Sequence, residues 1–296
     1  MPPIRRPVMM IDLLRVTTAD GLMLDGALQR PCEGIAPRQP IDACLLLHGT
    51  GSSFYGSTLL EGLGTILLEW GAAVLRANTR GHDGISTAML AGGGRRLQGA
   101  AYEIVDDCRH DVAAWLALLA DRGCRRVLVL GHSLGAVKAL YALAHHCPEN
   151  VWGVAAISPP RLAYSWFCQS AERDTFLADF ARARAADQAG EGRRLLEVKF
   201  PLAYAVSAAG YLDKYGPEER YNVLRFVAKV PRPVLVTYGG RELGHPAFQK
   251  MPEDLQALSP GAVALRVSVV PDADHLYTAR HAALAEQIDL WLGSGR

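Results

Sequence analysis

A chain of 296 residues, half of them hydrophobic and about a fifth charged, is long enough for one large α/β domain with an insertion or for two smaller domains. Its 31 basic and 30 acidic residues leave a formal net charge of +1 with no strong basic run, so nothing in the charge is built to gather nucleic acid or an anionic membrane. No stretch approaches about 18 consecutive apolar residues, and the opening MPPIRRPVMMIDLLRV lacks the apolar run and small-residue cleavage site of a signal peptide, so the expectation is a soluble cytoplasmic protein without membrane insertion.

Residues 9–30 read as an antiparallel hairpin, MMIDLLRVTT and LMLDGALQR around a turn at Ala19-Asp20-Gly21. After a Pro-rich loop (31–40), ACLLLHG (43–49) is the apolar run of a central strand with both faces covered. A helical pattern near 57–70 leads to a strand, AAVLRAN (72–78), and another over about 104–122 leads to RRVLVLG (125–131). The helix 134–146 leads to VWGVAAIS (151–158); RPVLVTYGG (232–240) and ALRVSVVP (264–271) supply two further strands, each followed by helix-like sequence. Strands alternating with helices over most of a chain predict a doubly wound, mostly parallel sheet.

The alternation fails in two places. Residues 81–103 are irregular, and LAGGGRRLQG (90–99) within them reads as a mobile loop whose glycines lack dinucleotide spacing. Between about 160 and 230 there are helical patterns and aromatics but no convincing buried strand, over a length far beyond a normal crossover. The expected organisation is a core over 1–160 and 231–296, with 161–230 inserted as a helical cap over the strands' carboxyl ends. Six scattered cysteines, with no CxxC pair and no histidine at ligand spacing, read as buried free thiols, and neither a metal nor a cofactor is expected.

Gly131-His132-Ser133-Leu134-Gly135 stands between a buried-type strand and an alanine-rich helix. A sharp strand-to-helix turn strains its middle residue and leaves no room for side chains two positions to either side, which is where the glycines are. Ser133 is therefore the candidate nucleophile, at a helix N-terminus whose dipole favours developing negative charge. A hydroxyl needs a base, and the base needs an orienting acid. Of nine histidines, His275 sits in the loop between the last strand and the last helix, at the sheet's carboxyl edge, and is the candidate base; His281 lies inside that helix, His245 comes too early, and His132 should point away if Ser133 points out. Glu242, in the turn leaving the preceding strand, is the first candidate acid, with Asp272 and Asp274 beside His275 and Asp213 inside the cap as alternatives. His48-Gly49-Thr50-Gly51 follows the first central strand as a donor-rich loop without the Gly-Lys-Ser/Thr of a phosphate cradle. The backbone N–H groups of Thr50 and Leu134 are the candidate oxyanion donors.

These residues resemble the α/β-hydrolase family: His-Gly-Thr-Gly after an early strand, GHSLG at the elbow, an acid after a later strand and a histidine last, in the order Ser133, Glu242, His275. The resemblance covers nearly the whole chain outside the cap and departs from the family's pattern in carrying glutamate where aspartate is commoner. NTRGHDG (78–84) is similar to the family's RGHG-like structural turn, and HGTGSSFYG (48–56) to loops of siderophore-esterase-type enzymes. The resemblance implies transfer of an acyl group to water through an acyl-enzyme, with a small or medium-sized, apolar carboxylic ester and water as the partners. The same triad serves thioesters, lactones, amides, perhydrolysis and C–C hydrolysis, whereas dehalogenases and epoxide hydrolases of this fold use aspartate at the position of Ser133. A non-catalytic binder that has kept the fold is the rival of another class. Phe54, Tyr55, Trp166, Phe167, Tyr211 and Tyr215 are the candidate pocket aromatics.

Overall fold

The computed structural model, which describes residues 10–258 and 264–294, begins with an antiparallel hairpin of β1 (Ile11–Thr17) and β2 (Met23–Gln29). The expectation that no leader precedes it falls on residues 1–9, outside the described residues. There follow β3 (Ala43–Leu47), α1 (Thr58–Glu69), β4 (Ala73–Ala77), a small hairpin of β5 (Ser86–Met89) and β6 (Arg95–Gln98), α2 (Cys108–Asp121), β7 (Val127–His132), α3 (Leu134–His145) and β8 (Val151–Ile157). The insertion carries α4 (Tyr164–Phe167), α5 (Arg173–Gln188), a hairpin of β9 (Leu195–Val198) and β10 (Tyr204–Ser207), and α6 (Ala208–Tyr215). The chain returns through β11 (Val234–Gly239), α7 (Met251–Leu258), β12 (Leu265–Val270) and α8 (His281–Ser294).

The main sheet has eight strands in the order β1-β2-β4-β3-β7-β8-β11-β12, parallel from β4 onward, with β2 antiparallel to both neighbours. Successive residues of a strand face opposite sides, so each central strand feeds two cores. Leu45 and Leu47 of β3 and Val127 and Val129 of β7 join α2 and α3 on one face. Cys44, Leu46, Leu128 and Leu130 join α1 and α8 on the other. This double coverage is why these strands are apolar without alternation. From β3 the chain steps first to β4 on one side and later to β7 on the other. The loops leaving the carboxyl ends of β3 and β7 therefore part over a crevice, where open α/β sheets take ligands.

Two expectations are corrected. Residues 90–99 are not a loop: Arg95–Gln98 pair with Ser86–Met89 around Gly93 and Gly94, both at positive φ, so the glycines make a hairpin turn. The insertion is not wholly helical either, since Leu195–Val198 and Tyr204–Ser207 form their own two-stranded sheet. Four-residue strands outside the main sheet carry too short a pattern to stand out from helical neighbours. The cysteines are all free, but only Cys44 and Cys108 are buried; Cys124, Cys147 and Cys168 are half-buried and Cys32 is exposed.

Buried charge ties the loops to the helix that follows Ser133. Glu103, just before α2, lies 2.6 Å from Lys138 Nζ of α3 and 3.2 Å from Lys214 Nζ of α6, and all three side chains are buried. Lys138 also donates to Thr79 Oγ1 at 2.9 Å and Lys214 to the Ala100 carbonyl at 3.1 Å. Burial pushes the Glu103 carboxyl up, but Lys138 and Lys214 outweigh it and hold the group at about 2. Gly81 lies against this carboxylate, where a Cβ would come within 1.9 Å of Glu103 Oε2. Arg80, also buried, pairs at 3.0 Å with Asp20 and with Asp107 and at 2.8 Å with Asp111, joining the first hairpin's turn to α2. Glu103→Gln leaves two buried ammonium groups without a counter-charge and is expected to cost about 3–5 kcal/mol, read as a lower urea midpoint by circular dichroism.

Candidate active site

Ser133 is the N-cap of α3 at φ 56°, ψ −124°, and its side chain makes no capping hydrogen bond. Its own N–H donates to the Ile157 carbonyl at 2.8 Å, fixing the turn to the end of β8. The flanking glycines are needed by contact. A Cβ on Gly131 would lie 2.2 Å from the Gly135 carbonyl oxygen, and one on Gly135 would lie 2.4 Å from that of Leu47. Positive φ at a non-glycine residue is a strain of order 1–3 kcal/mol that only a packed surrounding sustains.

A cavity of about 670 Å³ opens over the carboxyl ends of the strands, and Ser133, His275 and Glu242 all line it. His275, in the loop after β12, donates through Nδ1–H to Glu242 Oε2 at 2.6 Å, which leaves Nε2 as the acceptor nitrogen. Glu242 stands in the turn after β11. Its second oxygen accepts from Ser158 Oγ at 2.5 Å and from the Gly239 N–H at 2.7 Å. Ser158 Oγ is in turn 3.1 Å from the hydroxyl of Tyr277, itself 3.2 Å from Thr237 Oγ1. This buried network leaves the carboxylate little freedom to rotate away from the imidazole. The alternative acids are engaged elsewhere: Asp213 accepts from the Val105 N–H and the Tyr221 hydroxyl, and Asp274 from the Leu276 and Thr278 N–H groups. Asp272, at a φ of 56°, does not border the cavity.

Thr50 and Leu134 border the same cavity. Leu134 opens α3, so its N–H has no acceptor within the helix and is presented beside Ser133. Gly49 approaches Ser133 so closely that a Cβ there would sit 3.0 Å from the serine Cβ. His48, at the base of this loop, donates through Nδ1–H to the Gly49 carbonyl at 2.9 Å and accepts the Thr79 N–H on Nε2 at 3.1 Å. It is thus a structural brace for the loop.

His132 departs from expectation. It lies under the site, donating through Nε2–H to the His275 carbonyl at 2.8 Å, with ring centroids 4.7 Å apart. The loop after β12 folds back over β7, and nothing in the local sequence signals that. Burial, reinforced by the neighbouring His275, lowers the His132 pKa to about 3. His245, passed over as a base, also lines the cavity, where burial lowers its pKa; its Nδ1 accepts the Ala247 N–H at 3.1 Å. His281 instead packs against Gly62 of α1. Sequence reasoning missed Ser158, a polar residue ending an apolar strand, and the only local sign of it is that break in pattern. Of the pocket aromatics, Tyr215 borders the cavity, and Pro160, Leu162, Leu202 and Phe248 are among the other apolar residues of its wall. Phe167 and Tyr211 are buried in the insertion's own aromatic core, Tyr55 is two-thirds exposed, the Phe54 N–H donates to Asn78 Oδ1, and Trp166 donates to the Pro246 carbonyl beneath Arg161. Among the described residues no group of three or more His, Cys, Asp or Glu side chains is placed to hold a metal ion, and no helix is long and apolar enough to cross a membrane.

A mostly parallel sheet of eight strands, with a strained serine between its fifth strand and the following helix, is the α/β-hydrolase fold. The chain belongs to the Alpha/beta hydrolase family, whose model matches residues 44–287. No match was found among curated proteins. Similar solved structures include the alpha/beta hydrolase GrgF from Penicillium sp. sh18, at a TM-score of 0.67 and 16% identity over 96% of this chain and 98% of that one. A soluble variant of monoglyceride lipase from Saccharomyces cerevisiae, in complex with a substrate analog, gives 0.65 and 14% over 99% and 98%. Est1E from Butyrivibrio proteoclasticus with bound ferulic acid gives 0.63 and 16% over 94% and 98%.

The two braced histidines make the fold acid-sensitive. Burial first, and Lys138 next, lowers His48 to about 4, as burial lowers His132 to about 3, against an ordinary 6.5. The unfolded chain therefore takes up protons near 6.5 that the folded chain refuses, so stability is full above 6.5 and falls as pH drops toward 4 and 3. A loss on the order of 3 kcal/mol between pH 7 and 5 is expected, measured as the shift in urea midpoint, and a flat profile there would contradict it.

Proposed function

We propose that the protein is a serine hydrolase that cleaves a carboxylic ester of a small or medium-sized, apolar molecule through an acyl-enzyme. The observation that carries this reading is the 2.6 Å bond from His275 Nδ1–H to Glu242 in a cavity that Ser133 also lines. In this reading Ser133 Oγ attacks the ester carbonyl carbon while its proton passes to His275 Nε2. The carbonyl oxygen, now an anion, is received by the N–H groups of Thr50 and Leu134. The tetrahedral adduct collapses, the C–O bond to the alcohol breaks, and the alkoxide leaves with the proton from His275. Water then repeats the sequence against the acyl-serine and releases the acid. Glu242 keeps His275 in the Nδ1–H tautomer and stabilises the imidazolium without taking the proton itself.

The insertion between β8 and β11 acts in this proposal as the cap, since Pro201, Leu202 and Tyr215 from it face the cavity. The wall is mostly apolar, with Arg241 and Asp274 as its basic and acidic residues beside Glu242, which favours an uncharged ester. The monoglyceride lipase among the structural neighbours supports the same reaction class at the level of fold.

Three substitutions test the assignment. Ser133→Ala is expected to abolish labelling by a fluorophosphonate and to lower kcat/KM on p-nitrophenyl esters by at least about 10³-fold. Absence of labelling in folded wild-type protein would instead favour a non-catalytic binder, and a panel containing one thioester and one lactone separates the remaining acyl substrates. Glu242→Gln should lower kcat by about 10²–10⁴-fold. Ser158→Ala, which removes one donor from Glu242, should lower kcat roughly tenfold while KM changes little.

A further inference from the structure

Beyond Thr50 the site does not end. A second groove, of about 500 Å³, is lined by Thr50 and Gly51 of the loop after β3, by Gly84, Ile85 and Ala100 from around the β5–β6 hairpin, and by Leu202–Ala205 of the β9–β10 hairpin. Thr50 and Leu202 border both this groove and the main cavity, so the two adjoin at the candidate oxyanion donor. No lining residue carries a formal charge. Ile85 and Leu202 are about half exposed, at 53% and 48%, and Ala203 and Ala205 are exposed too. Tyr204, on one wall, is steadied by Lys214, whose Nζ is 3.4 Å from its hydroxyl and 5.4 Å from its ring centre. A side chain added at Gly84 would point into open space, with nothing within 4 Å of its Cβ.

We propose that this groove is a second substrate subsite for an uncharged aliphatic arm, so that the natural substrate is an ester carrying sizeable apolar groups on both sides of the scissile carbonyl. The inference rests on the ester-hydrolase reading above and deepens it. The two substituents of a trigonal ester carbonyl held between Ser133 and Thr50 diverge from its carbon, so they need separate space. One enters the main cavity against Leu162 and Phe248, and the other passes Thr50 and lies between Ile85 and Leu202. Half-exposed aliphatic side chains on facing walls gain by covering one another with apolar substrate, and the lining offers no cation to hold an anionic arm or anion to hold a cationic one. Two of its walls belong to hairpins outside the main sheet, and a third is the Thr50–Gly51 loop that borders the candidate nucleophile's cavity.

The test compares hexyl hexanoate, ethyl hexanoate and hexyl acetate. Wild-type kcat/KM is expected to be at least about tenfold higher for hexyl hexanoate than for either ester with one short arm. Ile85→Asp, which puts a charge on the wall, and Gly84→Trp, which adds a large side chain at a lining residue with open space around its Cβ, should each remove most of that preference, while Ile85→Leu should retain it. A wild type with no preference for two long arms, or variants that lower all three esters alike, would overturn the subsite and leave ester hydrolysis standing. Should no ester be hydrolysed, the reaction reading fails instead. Calorimetric binding of hexyl hexanoate to Ser133→Ala then decides the groove: affinity about tenfold weaker with Ile85→Asp added supports it, and unchanged affinity rejects it.

Discussion

The contact on which this structure turns is the approach of Gly135 to the backbone of β3. At 2.4 Å from the Leu47 carbonyl oxygen there is no space for a methyl group, so α3 can rise from the sheet at this angle only with glycine there. The same close approach holds Ser133 at its strained φ and ψ, presents the first N–H of α3 beside it, and brings Gly49 within van der Waals range of the serine. A looser junction would relax the strain into an ordinary helix start and turn the hydroxyl toward its own cap. Strain at one residue is thus sustained by packing along two neighbouring strands.

Around that junction the protein places charge where water is absent, and each charge spans separate pieces of chain. Glu103 meets Lys138 just over one turn beyond the elbow and Lys214 in α6 of the insertion. The inserted segment is therefore tied to the helix that carries the serine by more than apolar contact. Such pairs give modest net stability and strong dependence on geometry, which suits elements whose relative position shapes a cavity. Arg80 does the corresponding task on the other side, gathering three aspartates from the first hairpin and the start of α2.

The site itself contains one hydrogen-bonded His–carboxylate pair among histidines held neutral. His132 touches His275 from below and His48 braces the donor loop, each buried in a single tautomer by a carbonyl that accepts its proton. Neither competes for the proton that His275 is proposed to move. Glu242, with one oxygen taken by Ser158 and the Gly239 N–H, has a single oxygen to offer, and His275 is bound to it.

The main strands were legible because burial on both faces forces unbroken apolar runs such as Ala43–Leu47, and the elbow because its glycines answer a steric demand within five residues. The β5–β6 and β9–β10 hairpins were not legible. Four-residue strands have no room for a period, and each pairs with the equally short strand of its own hairpin. The choice of Glu242 over Asp272 or Asp274 needed coordinates as well, because nearness along the chain says nothing of which carboxylate faces the ring. Sequence by itself determined which segments form the main strands and the serine's strained setting, since both follow from local sterics and hydrophobic period. Tertiary structure alone decided which acid meets His275, that His132 and Ser158 sit beneath the pair, and that the aromatics Phe167 and Tyr211 fill the insertion's core instead of the cavity, because those outcomes depend on how distant loops fold over one another.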